Sequence, residues 1–472
     1  MAAVRVRPLL SWATRFQVRQ YVRGSLWILP LAGGLAGWLL AQLTLWTEGS
    51  LPLPSGWTYS AGTASGLLTA IVGAMIGLLG FVVTIGVLVI QSATQTLSPR
   101  FMRLWYRDRM QKFVLATFTA TLAMAFVLLR RTEKGHVPNL GVTVAGGAVL
   151  LSLVLLVLYF DRFTHRLRPV AIAALVAATG RAVLAAPPQA RPYVPPDAPR
   201  PRSGAGVGAE VRHPEPFAAP EGVPTWTVRS RRSGAVQAIH QPGLVRAARA
   251  YDCVLVLVHP VGDFVPEGTV LMEAYGATAP PDEPRLCGLV AFGHERTIDQ
   301  DPAFALRILV DIAIRALSPA VNDPTTAIQL VDHVEEVIGV VGASPRPGQL
   351  ALADDEGRLR VLVPEHSWEQ YLRLAVTEIR LYGKTSVQVC RRLRALLEDL
   401  CDKVPAAHRA AVEAELARLD ATVERSFDDP AERDFARTRD RQGIGGPSYV
   451  RSSLSSSGDV RGRGRADRSV QS

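Results

Sequence analysis

Four stretches of the chain, 25–46, 66–90, 113–129 and 139–160, are apolar almost throughout, with no Asp, Glu, Lys, Arg or His in any of them. At about 1.5 Å per residue each is long enough, or nearly so, to cross a hydrocarbon core of about 30 Å. The pattern predicts four transmembrane helices within a membrane domain over 25–184, preceded by a basic segment over 1–24. The first stretch is too long for a cleavable leader, and no small-residue cleavage site precedes Glu48, so it reads as a span.

The apolar period then stops. Eleven prolines between 187 and 224 permit neither a helix nor a central strand, so 185–224 reads as a linker. Over 225–285, β-branched runs at 227–229, 235–239, 254–258 and 269–272 alternate with Gly234, Gly243, Gly262 and Gly268, a pattern of short strands and turns. The string from Gly262-Asp263-Phe264-Val265 to Gly268-Thr269-Val270-Leu271 resembles the turn of biotinyl/lipoyl-type half-barrels. No lysine occurs there, which excludes a lysine-linked cofactor and leaves a small β module for packing or assembly.

Helical periods dominate 286–428. Asp301-Pro302 and Asp323-Pro324 each read as an N-cap followed by proline at the first helical position. The first of these helices is apolar on nearly every face except the line Arg307, Asp311, Arg315, whose four-residue steps allow pairing along a buried helix. A strand at 359–363 follows, then a capping box of Ser367 and Gln370 that starts a helix ending at Gly383. Two amphipathic helices, 386–401 and 406–427, complete a helical bundle, and a tail over 429–472 reads as disordered. The predicted fold class is an α-helical membrane bundle of four transmembrane helices with a C-terminal cytosolic α+β domain.

Charge supplies an orientation. The net charge of +10 divides into +13 over residues 1–182 and −3 over the remainder. Arg5, Arg7, Arg15, Arg19 and Arg23 precede the first span, Arg100 to Lys112 separate the second and third, and Arg162, Arg166, Arg168 and Arg181 follow the fourth. The opposite side carries only Arg130, Arg131 and Lys134. The positive-inside rule places both termini in the cytoplasm. The excess is therefore a topology and headgroup signal, and nucleic acid is not an expected partner. A helix near 99–110 would present Arg100, Arg103 and Arg107 on one face and Trp105 on the next, as a membrane-interface helix against anionic headgroups does. A lever between the membrane bundle and the cytosolic domain is the alternative use of that helix.

Small residues mark the second span, where Gly62, Gly66, Ala70, Gly73 and Gly77 share a face, and Gly33 and Gly37 repeat the spacing in the first. Such faces admit close helix approach, within the bundle or, alternatively, in a homo-oligomer or around a pore. No charge lies at mid-membrane, which disfavours a proton-driven carrier. Thr84, Thr117 and Thr121 leave a hydroxyl-lined channel as an alternative. Cys253, Cys287, Cys390 and Cys401 are scattered without metal-ligand spacing, and no nucleotide, hydrolase or metalloprotease motif occurs, so neither metal, cofactor nor enzymatic activity is expected. The expected role is a non-enzymatic oligomeric scaffold, sensor or regulator; the alternative is an ion channel or passive transporter.

The chain resembles the domain-of-unknown-function 2254 family of predicted bacterial membrane proteins. The resemblance rests on 91–108 with Ser98-Pro99-Arg100-Phe101, on Gly262-Asp263-Phe264-Val265, and on Asp301-Pro302 with 309–313, Ala316-Leu317-Ser318-Pro319 and Asn322-Asp323-Pro324-Thr325-Thr326-Ala327. It implies a multi-pass inner-membrane protein with a cytosolic domain and brings no catalytic residue. Asp299, Asp301, Asp311, Arg315, Ser318, Asn322 and Asp323 then have two readings. They serve as helix caps and pairs, or they gather a ligand or cation between two helix N-termini.

Overall fold

The computed structural model describes residues 11–48, 58–96, 108–132, 137–166, 168–195, 222–343 and 348–443. The four apolar stretches form helices α2 (Ile28–Thr47), α3 (Ala61–Thr96), α4 (Arg109–Thr132) and α5 (Asn139–Arg166). Each is long and apolar enough to cross a membrane. Helix α4 holds the centre, with α2, α3 and α5 all packed on it. The closeness of α2 has a direct cause: a Cβ at Gly33 or Gly37 would overlap the backbone carbonyls of Ala116 and Ala120.

The glycines of α3 behave differently from the packing expected within the bundle. Ala64, Leu68, Ile71, Met75 and Val82 form its buried face. Gly62, Gly66, Gly73 and Gly77 point away, and a Cβ at any of them would meet nothing within 4 Å.

The membrane domain expected to reach 184 is interrupted at Arg168, whose extended backbone precedes Pro169. A new helix, α6 (Pro169–Ala185), leaves the bundle and enters the core of the C-terminal domain. There it packs against α9 (Pro302–Ala316) and α10 (Pro324–Gly342). Gly180 permits the approach, since a Cβ there would lie 2.8 Å from that of Ala305. Helices α11 (Trp368–Tyr382), α12 (Val387–Lys403) and α13 (Ala406–Ser426) complete this helical core. The capping box of Ser367 and Gln370 and the terminating Gly383 are both present.

The β region is larger than a module ending at 285. Strands β1 (Trp226–Arg229), β2 (Gly234–Ile239), β3 (Val254–Leu257), β4 (Phe264–Val265), β5 (Val270–Tyr275), β6 (Val290–Gly293), β7 (Gln349–Ala353) and β8 (Leu359–Pro364) build two sheets. One has the order β1-β5-β3-β8-β7 and the other β4-β2-β6. Only the β3–β8 pairing in the larger sheet is parallel, and it draws in residues from beyond α10. Helix α7 (Gln241–Ala250) packs beside this sheet, and α8 (Glu283–Cys287) precedes β6.

Two further segments depart from expectation. The basic segment before the first span folds as helix α1 (Trp12–Gly24), capped by Ser11 and packed against β6. The tail expected to be disordered from 429 instead begins with helix α14 (Pro430–Ala436). Arg391 of α12 holds it, with its guanidinium 4.1 Å from the Phe435 ring centroid, 2.9 Å from the Thr438 carbonyl and 3.6 Å from the Asp440 carboxylate. Arg100, Arg103, Trp105 and Arg107 lie outside the described residues.

Candidate functional site

The two Asp-Pro motifs cap helices as their sequence suggests, but they do not meet. Asp301 Oδ1 accepts from the Phe304 amide at 3.0 Å, and Asp323 Oδ1 accepts from the Thr326 amide at 3.0 Å. Helix α9 has 15 residues. At about 1.5 Å per residue it separates the two caps by roughly 22 Å. The two N-termini therefore form no common site, because α9 and α10 follow one another as a hairpin whose N-termini lie at opposite ends.

The remaining candidates divide between those ends and the middle. Arg307 Nε donates to Asp311 at 2.6 Å, and the same guanidinium forks onto Glu378 of α11, so this line ties two helices together. Arg315 lies two turns beyond Arg307 on α9 and is half-buried. Ser318 accepts from the Asn322 amide at 2.8 Å through its backbone carbonyl, closing the turn into α10. Asn322 occupies the left-handed region at φ 49°, a conformation asparagine tolerates better than most residues, and it is exposed. The Asn322-Asp323 end is thus a turn and a cap.

At the Asp301 end the surroundings are richer. Arg296 grips Asp301 Oδ2 through Nε at 2.9 Å and Nη2 at 2.7 Å, and its guanidinium also lies 5.3 Å from the Phe304 ring centroid. Asp301 is only 2% exposed. Burial pushes its carboxyl above the usual range, against the opposing pull of Arg296 and the Phe304 amide. Gly262 sits on this pair at φ 105°, where a Cβ would lie 2.5 Å from Asp301 Oδ2 and 2.6 Å from Arg296 Nη2. Two motifs 39 residues apart, Gly262-Asp263 and Asp301-Pro302, are consequently one structural unit.

This unit forms one wall of a cleft of about 660 Å³ between the helical core and the sheets. The end of α6 and Pro187-Pro188 form a second wall, and Gln349, Glu365, His366 and Tyr371 a third. His366 meets Tyr371 edge-on at 5.6 Å between centroids, and the buried Oε1 of Gln349 accepts no hydrogen bond among the described residues. A junction between two cores, mostly apolar and carrying a few convergent polar groups, is a usual setting for a small-molecule pocket.

Asp299, Gln300 and Gln189 also line a second cleft, of about 590 Å³, whose far wall is α1. Here the Ala13 amide donates to the Gly288 carbonyl at 3.0 Å, Gln17 Nε2 to the Phe292 carbonyl at 2.7 Å, and Gln20 Nε2 to Asp299 Oδ2 at 2.7 Å. Trp12 stacks on His240 at 5.0 Å. Burial, with Arg246 and Arg15 nearby, lowers the pKa of that imidazole. The other end of α1 is fixed as well, since Lys112 Nζ of α4 donates to the Arg23 carbonyl at 2.5 Å.

Sequence reasoning found Asp301 and the Gly262 turn but missed Arg296, Gln349, His366, Tyr371 and the whole α1 contact. The sole local signal was the apolar pair Trp12 and Phe16 within a basic segment. The hydroxyls considered for a channel bond their own helices: Thr84 to the Gly80 carbonyl, Thr117 to that of Phe113 and Thr121 to that of Thr117. Their protons are occupied within the backbone.

Residues 23–399 match the model of a family described as "Predicted membrane protein (DUF2254)". The uncharacterized proteins Rv1290c of Mycobacterium tuberculosis (strain H37Rv) and Mb1321c of Mycobacterium bovis are each 29% identical to the chain over 434 residues, covering 89% of it and 80% of the relative. No solved structure matches.

Proposed function

We propose that this chain, which belongs to the DUF2254 family of predicted membrane proteins, is a non-enzymatic sensor or regulator in which a ligand-sized cleft is mechanically joined to the membrane bundle. It resides in the bacterial inner membrane with both termini and the C-terminal domain in the cytoplasm, and it works as a homo-oligomer. The observation that carries this reading is the docking of α1. That helix packs on β6 and bonds Asp299 on one side and Lys112 on the other. Only Ser25, Leu26 and Trp27 separate it from α2. Helix α6 makes a second connection, since it lines the cleft and starts at Pro169, close after the end of α5 at Arg166. A change in the cleft therefore bears on the first and the last spanning helix at once. The most deeply buried carboxylate of the cleft, Asp301, is engaged by a cap and an arginine, which suits recognition better than proton transfer.

The bare glycine stripe of α3 supports assembly through that face, where a second copy's helix would approach closely. The test has two parts. The Ser11 Cβ lies 3.2 Å from the position a Cβ would take at Gly288, so S11C/G288C in a C287S background should cross-link on mild oxidation. Hydrogen exchange at the start of α2 should then slow in the locked form, whereas unchanged exchange would sink the coupling. In lipid nanodiscs, native mass spectrometry should find an oligomer that Gly66→Leu/Gly73→Leu converts to monomer. A monomeric wild type removes the assembly, and solute flux in liposomes would replace the regulatory reading with transport.

A further inference from the structure

The cleft beside α1 has three like charges along one wall. Arg15, Arg19 and Arg23 follow one another at four-residue steps and all three line it. Like charges at this spacing repel and weaken a helix by a few tenths of a kcal/mol per pair. All three residues are exposed, and no carboxylate among the described residues pairs with any of them. Asp299, the acidic residue of this cleft, accepts from Gln20 instead. Three guanidinium groups therefore face a space of about 590 Å³ that holds one carboxylate.

A guanidinium presents a planar fork of donors that matches two oxygens of a phosphate group, and successive arginines on one helix line can share a single tetrahedral anion and its neighbour. Gln189, on the opposite wall, is exposed and offers a neutral donor. The location narrows the source. Arg23 is in the last turn of α1, and the first spanning helix begins at Ile28, so one end of the cleft lies next to the start of that span. We propose that this cleft is a binding site for a phosphate ester, held by Arg15, Arg19 and Arg23 of the docked α1. The inference rests on the docking used in the functional reading above and adds the ligand class of the adjoining cleft.

The full chain should be studied in two settings. In nanodiscs of phosphatidylcholine with or without phosphatidylglycerol, the anionic lipid should raise the thermal unfolding midpoint of the wild type. In neutral detergent, glycerol 3-phosphate is titrated as the soluble probe. A response to phosphatidylglycerol alone assigns the site to a lipid headgroup, and a response to glycerol 3-phosphate assigns it to a soluble phosphate ester. In either case R15Q/R19Q/R23Q should weaken binding at least tenfold, R19Q alone should weaken it by a smaller factor, and R130Q/R131Q, at the other end of α4, should leave it unchanged. Absence of any response in the wild type, or equal binding by the R19Q and triple variants and the wild type, overturns the site. The S11C/G288C cross-link separates the two failures: a chain that cross-links but binds neither probe loses the phosphate site and keeps the docked helix.

Discussion

Gly33 and Gly73 each open a G-x-x-x-G, yet their surroundings are opposite: the first lies on the α4 backbone, the second faces open space. Sequence shows the motif and not its partner, because a small residue marks a close approach without saying whose backbone arrives. Gly37→Val should accordingly lower the thermal unfolding midpoint of the detergent-solubilised chain, by an overpacking cost of about 1–3 kcal/mol or more. Gly73→Val should leave the stability of the single chain within about 0.5 kcal/mol. Gly262 has both reasons to be glycine, a positive φ and a Cβ position already taken by Asp301 and Arg296. Gly262→Ala should cost about 1–3 kcal/mol, read as a lower unfolding midpoint. At Asp301, asparagine preserves the cap and alanine does not, so D301A should lose about 0.5–2 kcal/mol more than D301N in the same assay. Those caps were legible because an N-cap needs only neighbours in sequence. The Arg296 grip was not, since nothing in the spacing tells a surface arginine from one folded back on a carboxylate.

At the scale of elements, helices were read well where capping and period agreed, as in α11, and also from the period alone in α13, whose N-cap Pro405 makes no side-chain bond. Strands β6 (Val-Ala-Phe-Gly) and β7 (Gln-Leu-Ala-Leu-Ala) went unread because they lack the β-branched runs that marked β1 and β3, which are no longer. Helix α1 was legible as a basic segment only. Its composition is the same whether it rests on headgroups or on protein, and the surface it meets is 275 residues away. Its docking should depend on pH through His240. The imidazole is held below its ordinary pKa by burial and then by Arg246 of α7 and Arg15 of α1, so the docked state favours the neutral ring. When the helix undocks the ring loses the cover of Trp12 and the charge of Arg15, its pKa rises toward the ordinary value, and docking should weaken as pH falls through that range. Hydrogen exchange of residues 12–24, corrected for intrinsic rate, should rise between pH 7.5 and 5.5 in the wild type. His240→Phe, which keeps a ring beside Trp12, should remove that dependence.

Across the whole molecule, the membrane bundle was read from composition, whereas the boundary between the bundle and the C-terminal domain was not. Helix α6 is apolar enough to pass for the end of a span, and only its contacts with α9 and α10 place it in the other core. The five-stranded sheet likewise closes over residues from 226 to 364, so no cut between them yields an intact sheet. At the far end, Arg391 is 1% exposed in its side chain and pairs with Asp440. Truncation after residue 428 removes Phe435, Thr438 and Asp440 from around a buried guanidinium, and should destabilise the chain by about 3–5 kcal/mol. The measurement is the thermal unfolding midpoint of the truncated chain against the full one.

The bond from Gln17 to the Phe292 carbonyl also sets an order of events during synthesis. Its two ends are separated by 275 residues. At about 5–20 residues per second the helix waits roughly 15–55 s for its receptor strand to be made. All four spanning helices leave the ribosome within that interval, so their insertion proceeds without the clamp. Meanwhile the apolar side of α1, with Trp12 and Phe16, has the membrane surface as its nearest apolar host. Docking then covers that side with protein, and a chain whose C-terminal domain has not folded is left with Trp12 and Phe16 uncovered.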